Sequence, residues 1–174
     1  ALKSVDEMTG ISVEKLADDI IKSKFDYRLI DLRDEEEYLK YNIPTSENIA
    51  VKELLNLDLS RNSNIILYSD NEIETAKAWF LLTANKYKGV TILKGGLKAW
   101  QKNILFPVCT CGDNPSTEQL HKHNKLAEIS EFFGGKMQTE KIVKSDEKLK
   151  MPEIESPAQI ELKKPKGKRK REGC

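Results

Sequence analysis

Three apolar runs with little polar alternation constrain this chain most: Arg28-Leu29-Ile30-Asp31-Leu32, Asn64-Ile65-Ile66-Leu67-Tyr68 and Val90-Thr91-Ile92-Leu93. A strand that is apolar on both faces must be covered on both, which is the situation of a central strand in a parallel sheet with helices above and below. The stretches between the runs supply those helices. Ser12 can cap a helix through about Ile21, Asp34 can start a short one through Leu39, and Ala76 to Ala84 carries apolar residues at helical spacing. Gly95-Gly96 then breaks the chain before a last short helix containing Leu97, Ala99 and Trp100. Strand and helix alternate from Ile11 to about Trp100, which predicts a three-layer α/β fold around a parallel sheet of about four or five strands.

After Pro107 the character changes. Cys109 to Pro115 is turn-rich, and Ser116-Thr117-Glu118-Gln119 has the form of a capping box opening a helix that Gly134-Gly135 would close. Leu126, Ile129 and Phe133 share one face of that helix, so an appended helix packed on the domain is expected. From Lys136 onward no periodicity is sustained, prolines recur, and lysine and glutamate dominate, the composition of a disordered arm. The expected division is a domain over residues 1–107, an appended turn and helix over 108–135, and a disordered lysine-rich tail over 136–174.

A length of 174 residues allows one well-buried core, with 39% hydrophobic and 33% charged side chains. No apolar run approaches the roughly 18 to 20 residues of a membrane span. The start ALKSVDEMTG has neither an initiator Met nor the apolar stretch of a leader, so a processed chain or part of a larger protein is expected. The net charge of +1 conceals an asymmetry, because acidic side chains outnumber basic ones up to residue 107 and the balance reverses beyond it. Three cysteines, two of them one residue apart, make no disulfide framework, so reduced thiols in a cytoplasmic setting are expected.

Three segments spanning roughly residues 10 to 107, about three-fifths of the chain by the usual domain accounting, resemble the rhodanese superfamily of sulfurtransferases. Leu29-Ile30-Asp31-Leu32-Arg33, followed by Glu37-Tyr38 and Ile43-Pro44, is similar to the family's leading motif of strand, acidic turn and Ile-Pro bend. Leu93-Lys94-Gly95-Gly96-Leu97-Lys98-Ala99-Trp100 is similar to its closing motif at every defining position. Ile65 to Thr75 stands where the family places strand, catalytic loop and helix start. Departures are Tyr41-Asn42 where Gly-His is common before Ile-Pro, and Thr45-Ser46 where Gly-Ala is common after it.

The middle segment decides what the resemblance implies for function. Rhodanese chemistry needs a thiolate at the first loop position to accept sulfur and hold it as a persulfide, and that position matches Ser69. A serine hydroxyl has no accessible anion near neutral pH without a base and cannot carry a sulfane sulfur. The family's arginine position matches Glu74, with Asp70 and Glu72 in the same loop. Three carboxylates would repel an anionic donor by about 1 kcal/mol each at exposed distances. Ser69-Asp70-Asn71-Glu72 also has the spacing of a capping box, so Ser69, Asp70, Asn71, Glu72, Ile73, Glu74 and Thr75 read as a degenerate active-site loop turned into a capped helix start. The implied role is that of an inactive homologue serving protein interaction or regulation, with the acidic loop facing a cationic or peptide partner. No cofactor is expected. The resemblance also implies possible fusion to other modules, including membrane-embedded ones, which would put the domain at the cytoplasmic face.

Other candidates compete with this reading. A phosphatase of the same superfamily would need a longer loop and a Cys-Arg pair. A persulfide relay through Cys109 or Cys111 would keep the chain an enzyme, although Cys109 follows the last domain helix and not a strand-to-helix turn with its cradle of N–H groups. Cys109, Cys111, His121 and His123 are the weak metal candidates, and ligands one residue apart on a helix point to different faces. Lys163, Lys164, Lys166, Lys168, Arg169, Lys170 and Arg171 form a basic run able to attract anionic lipid or nucleic acid. Cys174 fits no prenylation box.

Overall fold

A computed structural model describes residues 9–56, 60–109, 116–139 and 151–152. Five parallel strands form the main sheet: β1 (Gly10–Ile11), β2 (Arg28–Asp31), β3 (Ser46–Asn48), β4 (Asn64–Tyr68) and β5 (Gly89–Leu93), in the order β1-β5-β4-β2-β3. The three predicted strands are its centre. The chain moves to one side from β2 to β3 and then crosses back to place β4 on the other side of β2. In such a sheet a crevice opens at the carboxyl ends of the two strands where the direction of winding reverses. Here those strands are β2 and β4.

Burial explains the missing alternation in the strands. Leu29, Ile66, Tyr68 and Leu93 point into a cluster with Leu16, Ile20, Ile43, Leu97 and Trp100, while Ile30, Ile65, Leu67 and Val90 point into a second cluster with Leu54, Ala78, Trp79 and Leu82. Each central strand is therefore apolar on both sides because it serves two cores.

Helix α1 (Val13–Ile21) starts as expected, with Ser12 Oγ accepting from Lys15 N at 3.3 Å, and buries Val13, Leu16, Ala17 and Ile20. The short α2 (Glu35–Lys40) follows Asp34, whose side chain makes no capping bond, and buries nothing. Helix α3 (Glu72–Ala84) begins before the predicted Ala76. Its apolar residues run all round it, so periodicity locates only its later turns. Helix α4 (Gly96–Trp100) continues into wider π-type turns over Gln101–Leu105, and a 3-10 segment covers Val51–Asn56.

Beyond Pro107, α5 (Thr117–Phe132) carries the predicted capping box, with Gln119 N donating to Ser116 Oγ at 3.2 Å and Ser116 N donating to Gln119 Oε1 at 2.7 Å. It packs on the domain. Phe133 stands edge-on to Trp100 with ring centroids 4.9 Å apart, and the Leu105 carbonyl accepts from both Ser130 Oγ at 2.7 Å and Lys136 N at 2.8 Å. The expectation of an arm without structure from Lys136 on is corrected at its start: β7 (Gln138–Thr139) pairs in parallel with β6 (Val108–Cys109), and Met151 packs against the first core cluster. A two-residue strand has no period for a sequence pattern to reveal. The basic run from Lys163 to Arg171 and Cys174 lie outside the described residues.

Candidate functional site at the carboxyl edge of the sheet

Strand β4 is buried from Ile65 to Tyr68 and delivers Ser69, itself only 4% exposed, to the edge of the sheet. The chain then emerges at Asp70, Asn71, Glu72, Ile73 and Glu74 and turns back into the core at Thr75. Ser69 Oγ accepts from Asn71 N at 3.0 Å, donates to Asn71 O at 2.7 Å and lies 2.9 Å from Thr75 Oγ1. Thr75 Oγ1 also lies 3.2 Å from Asn71 O, so the two hydroxyls and that carbonyl form one small polar cluster inside the loop. The loop closes on itself through these side chains.

The predicted capping box at Ser69 to Glu72 does not form. Asn71 is the cap instead, its Oδ1 accepting from Ile73 N at 3.0 Å, and the helix begins at Glu72. Ser69 is held in a local turn with the N–H two residues on, which leaves Asn71, an equally good capping residue, at the true boundary. Glu72 and Glu74 do occupy the first helical turn, where the helix dipole favours negative charge.

Two neighbouring segments hold the loop. Leu97 N donates to the Ser69 carbonyl at 3.3 Å, and Gly96, at φ +55°, lies so near that a Cβ there would stand 2.1 Å from the same oxygen. The double glycine thus lets one backbone rest on another. On the other side Tyr68 Oη donates to Ser46 Oγ at 2.9 Å and accepts from Ile43 N at 3.1 Å, tying β4 to the Ile-Pro bend. That bend is closed by Ser46 N donating to Ile43 O at 3.1 Å and places Thr45 at φ +71°. A proline-led turn with a positive φ at its third residue asks for glycine, so threonine there is strained.

Arg33 completes the crevice between β2 and β4. Its side chain is 7% exposed and grips Asp31, which is fully buried, through Nη2 at 2.6 Å and Nε at 3.0 Å, while Arg33 N also donates to Asp31 Oδ1 at 3.0 Å. Nη2 donates in addition to Tyr41 O at 2.6 Å, and Nη1 lies 3.7 Å from Asp70. Burial works against the guanidinium charge, but the hydrogen bonds and charge of Asp31 outweigh it and hold Arg33 above the usual arginine value. Tyr41 in turn accepts from Trp100 Nε1 at 2.9 Å, and burial pushes its phenol up to about 12. Sequence reasoning quoted Arg33 only as part of a motif and missed this role. Spacing gave one signal, an aspartate closing a strand with an arginine two residues on.

The remaining candidates are not gathered here. Cys109 lies on β6, whose strand partner is β7, and Cys111 is outside the described residues. His121 is exposed, and His123, partly exposed, has Nδ1 3.4 Å from Asn124 Oδ1. Among the described residues no three His, Cys, Asp or Glu side chains cluster as metal ligands would, and no helix is long and apolar enough to cross a membrane.

A family model for the rhodanese-like domain matches residues 12–103, more than half of the chain. The chain belongs to the rhodanese-like family. Comparison with curated proteins finds no match. Among solved structures, this rhodanese-like domain is similar to the Alr3790 protein from Anabaena sp., with 23% identity, a TM-score of 0.50, and coverage of 52% of this chain and 84% of that one. It is also similar to the single-domain sulfurtransferase RDL2 of Saccharomyces cerevisiae, at 17% identity and a TM-score of 0.50, covering 56% of this chain and 92% of that one. At these identities the likeness is one of fold.

Proposed function

We propose that this rhodanese-like domain does not transfer sulfur and serves as a protein-interaction or regulatory module through its 69–75 loop. The observation that carries the reading is the state of the Ser69 hydroxyl. By the resemblance of residues 65–75 it stands at the family's sulfur-accepting position, it is buried, and it has three polar contacts within its own loop. Sulfur transfer needs a polarizable anion that attacks the donor and then holds the sulfur, and a neutral, hydrogen-bonded hydroxyl does neither. The arginine in the crevice does not replace the missing anion-binding group, because its charge is held by Asp31. What the loop offers outward is Asp70, Glu72 and Glu74 around an exposed Ile73, a surface that suits a cationic, partly apolar peptide.

The test is thiocyanate formation from thiosulfate and cyanide by the full chain and by its Cys109→Ser/Cys111→Ser variant. The expected result is the uncatalysed rate for both. Turnover that disappears in the double variant would replace this reading with a relay through those thiols.

A further inference from the structure

The turns at the amino-terminal end of the sheet form a second surface, at the edge opposite the 69–75 loop. Because β2, β4 and β5 are parallel neighbours, the chain enters all three from one side, through residues 22–27, 60–63 and 85–88. Hydrogen bonds join these turns. Asn64 Nδ2 donates to Asp26 O at 3.1 Å, and Lys88 N donates to Arg61 O at 3.0 Å. Arg61 Nη1 donates to Asn85 O, and its guanidinium lies 4.4 Å from the ring centroid of Tyr87. With strands about 4.8 Å apart, the three turns make one continuous edge about 10 Å wide.

That edge is basic. Lys22, Lys24, Arg61, Lys86 and Lys88 are all exposed, Asp26 is the one carboxylate within the three turns, and Lys22 pairs with Asp18 of α1 at 2.7 Å. Helices α1 and α3 both end here, and their dipoles favour cations. Two further features have a different origin. Lys86 follows the end of α3 at φ +68°, a left-handed position that is free for glycine and strained for lysine, so a basic side chain is kept there at a conformational cost. Ile21 and Phe25 stand 38% and 44% exposed on either side of Lys22, Ser23 and Lys24, so apolar side chains are interleaved with the cations. The opposite edge has the reverse balance: Asp34, Glu35, Glu36, Glu37, Asp70, Glu72 and Glu74 are exposed there, against Lys40, Lys77, Lys94 and Lys98.

We infer that the amino-terminal edge docks on an anionic lipid bilayer, with Ile21 and Phe25 entering the headgroup region and the five basic side chains meeting the lipid charges. Apolar side chains flanked by cations are favoured at such an interface, with binding strengthened about fivefold by each basic side chain near the surface. The unequal charge of the two edges orients the domain. It brings this edge to the membrane and holds the acidic 69–75 loop away from it, open to a partner. Phe25 alone gives no platform for stacking successive bases, which disfavours nucleic acid as the polyanion. The inference goes beyond the reading of the 69–75 loop and is independent of sulfur chemistry.

Because the run from Lys163 to Arg171 would itself be drawn to anionic vesicles, the test reads the edge locally in the full chain. Trp79 and Trp100 are 3% and 0% exposed, so Phe25→Trp adds a reporter distinct from both. With phosphatidylserine–phosphatidylcholine vesicles carrying brominated acyl chains, its emission is expected to shift to the blue and to be quenched. Phosphatidylcholine alone should do neither, and Ile73→Trp, on the opposite edge, should show no quenching. Lys24→Gln/Lys88→Gln in the reporter chain is expected to lower the docking constant read from the quenching about 25-fold at low salt. Lys86→Gly is expected to lower it about fivefold while raising the urea midpoint, which separates loss of charge from loss of structure. Cosedimentation without quenching would assign vesicle binding to another part of the chain and overturn the proposal. Equal quenching in the Phe25→Trp and Ile73→Trp chains, or a docking constant unchanged by the glutamine variant, would do the same. Self-association that the glutamine variant abolishes, with no quenching, would overturn it in favour of contact with the acidic edge of a second copy. Thiocyanate formation by the chain would fail the functional reading and leave this one standing.

Discussion

Replacing Arg33 with methionine isolates the ion pair at the floor of the crevice. The methionine has similar length and apolar bulk, so the change removes charge and hydrogen bonds with little change of volume. Asp31, fully buried, would lose its partner at 2.6 Å and 3.0 Å, and the Tyr41 carbonyl would lose a donor at 2.6 Å. Breaking a buried pair from one side costs about 3 to 5 kcal/mol, because the remaining charge stays uncompensated. With a urea dependence of about 2 kcal/mol per M, the unfolding midpoint should fall by about 1.5 to 2.5 M. Urea titration followed by circular dichroism measures it. Arg33→Met/Asp31→Asn should recover about 2 kcal/mol or more, since the carboxamide oxygen can still accept from the backbone N–H of residue 33 while the stranded charge is gone. A single variant that loses under about 1 kcal/mol, or a double variant no better than the single, would refute the reading of Arg33 and Asp31 as a buried pair in which each charge compensates the other.

Gly96→Ala should destabilise by about 2 to 4 kcal/mol in the same titration, combining a left-handed backbone with a methyl group 2.1 Å from a fixed carbonyl oxygen. Thr45→Gly should stabilise by about 0.5 to 1 kcal/mol, because the positive φ of the turn is free for glycine. At alkaline pH the sign follows from the phenols: burial pushes Tyr41 up to about 12 from the usual 10.0, and Tyr68 well above it. Their contribution to stability is complete below pH about 10 and is lost as pH rises through the folded values. Tyrosinate absorbance should therefore rise together with loss of circular dichroism, and titration of all tyrosines in a still-folded chain would contradict it.

The centre of the sheet was readable because burial on both faces leaves a plain mark: Ile65, Ile66, Leu67 and Tyr68 have no polar residue among them. The glycines at 95 and 96 were readable for a similar reason, since few substitutes tolerate the approach. The first turn of α3 was not, because its exposed isoleucine and buried threonine invert the expected pattern. The cap was misplaced for a related reason, since Ser69 and Asn71 are comparable capping residues and only the turn geometry assigns the N–H groups between them. Strands β1, β3, β6 and β7 are two or three residues long, and neighbours distant in sequence decide their pairing. The bracing role of Arg33 belongs to the same class, as Asp70 and Tyr41 come to it only through the sheet.

One carbonyl oxygen, that of Leu105, receives both the Ser130 hydroxyl and the Lys136 amide, just past the point where family likeness stops. The packed unit therefore extends beyond the residues that the family model matches. A gene fusion or excision cut at the end of the shared motif would leave Trp100 without the ring of Phe133 beside it and Leu105 with an orphaned oxygen. A fragment that is to keep these contacts has to include the helix that follows.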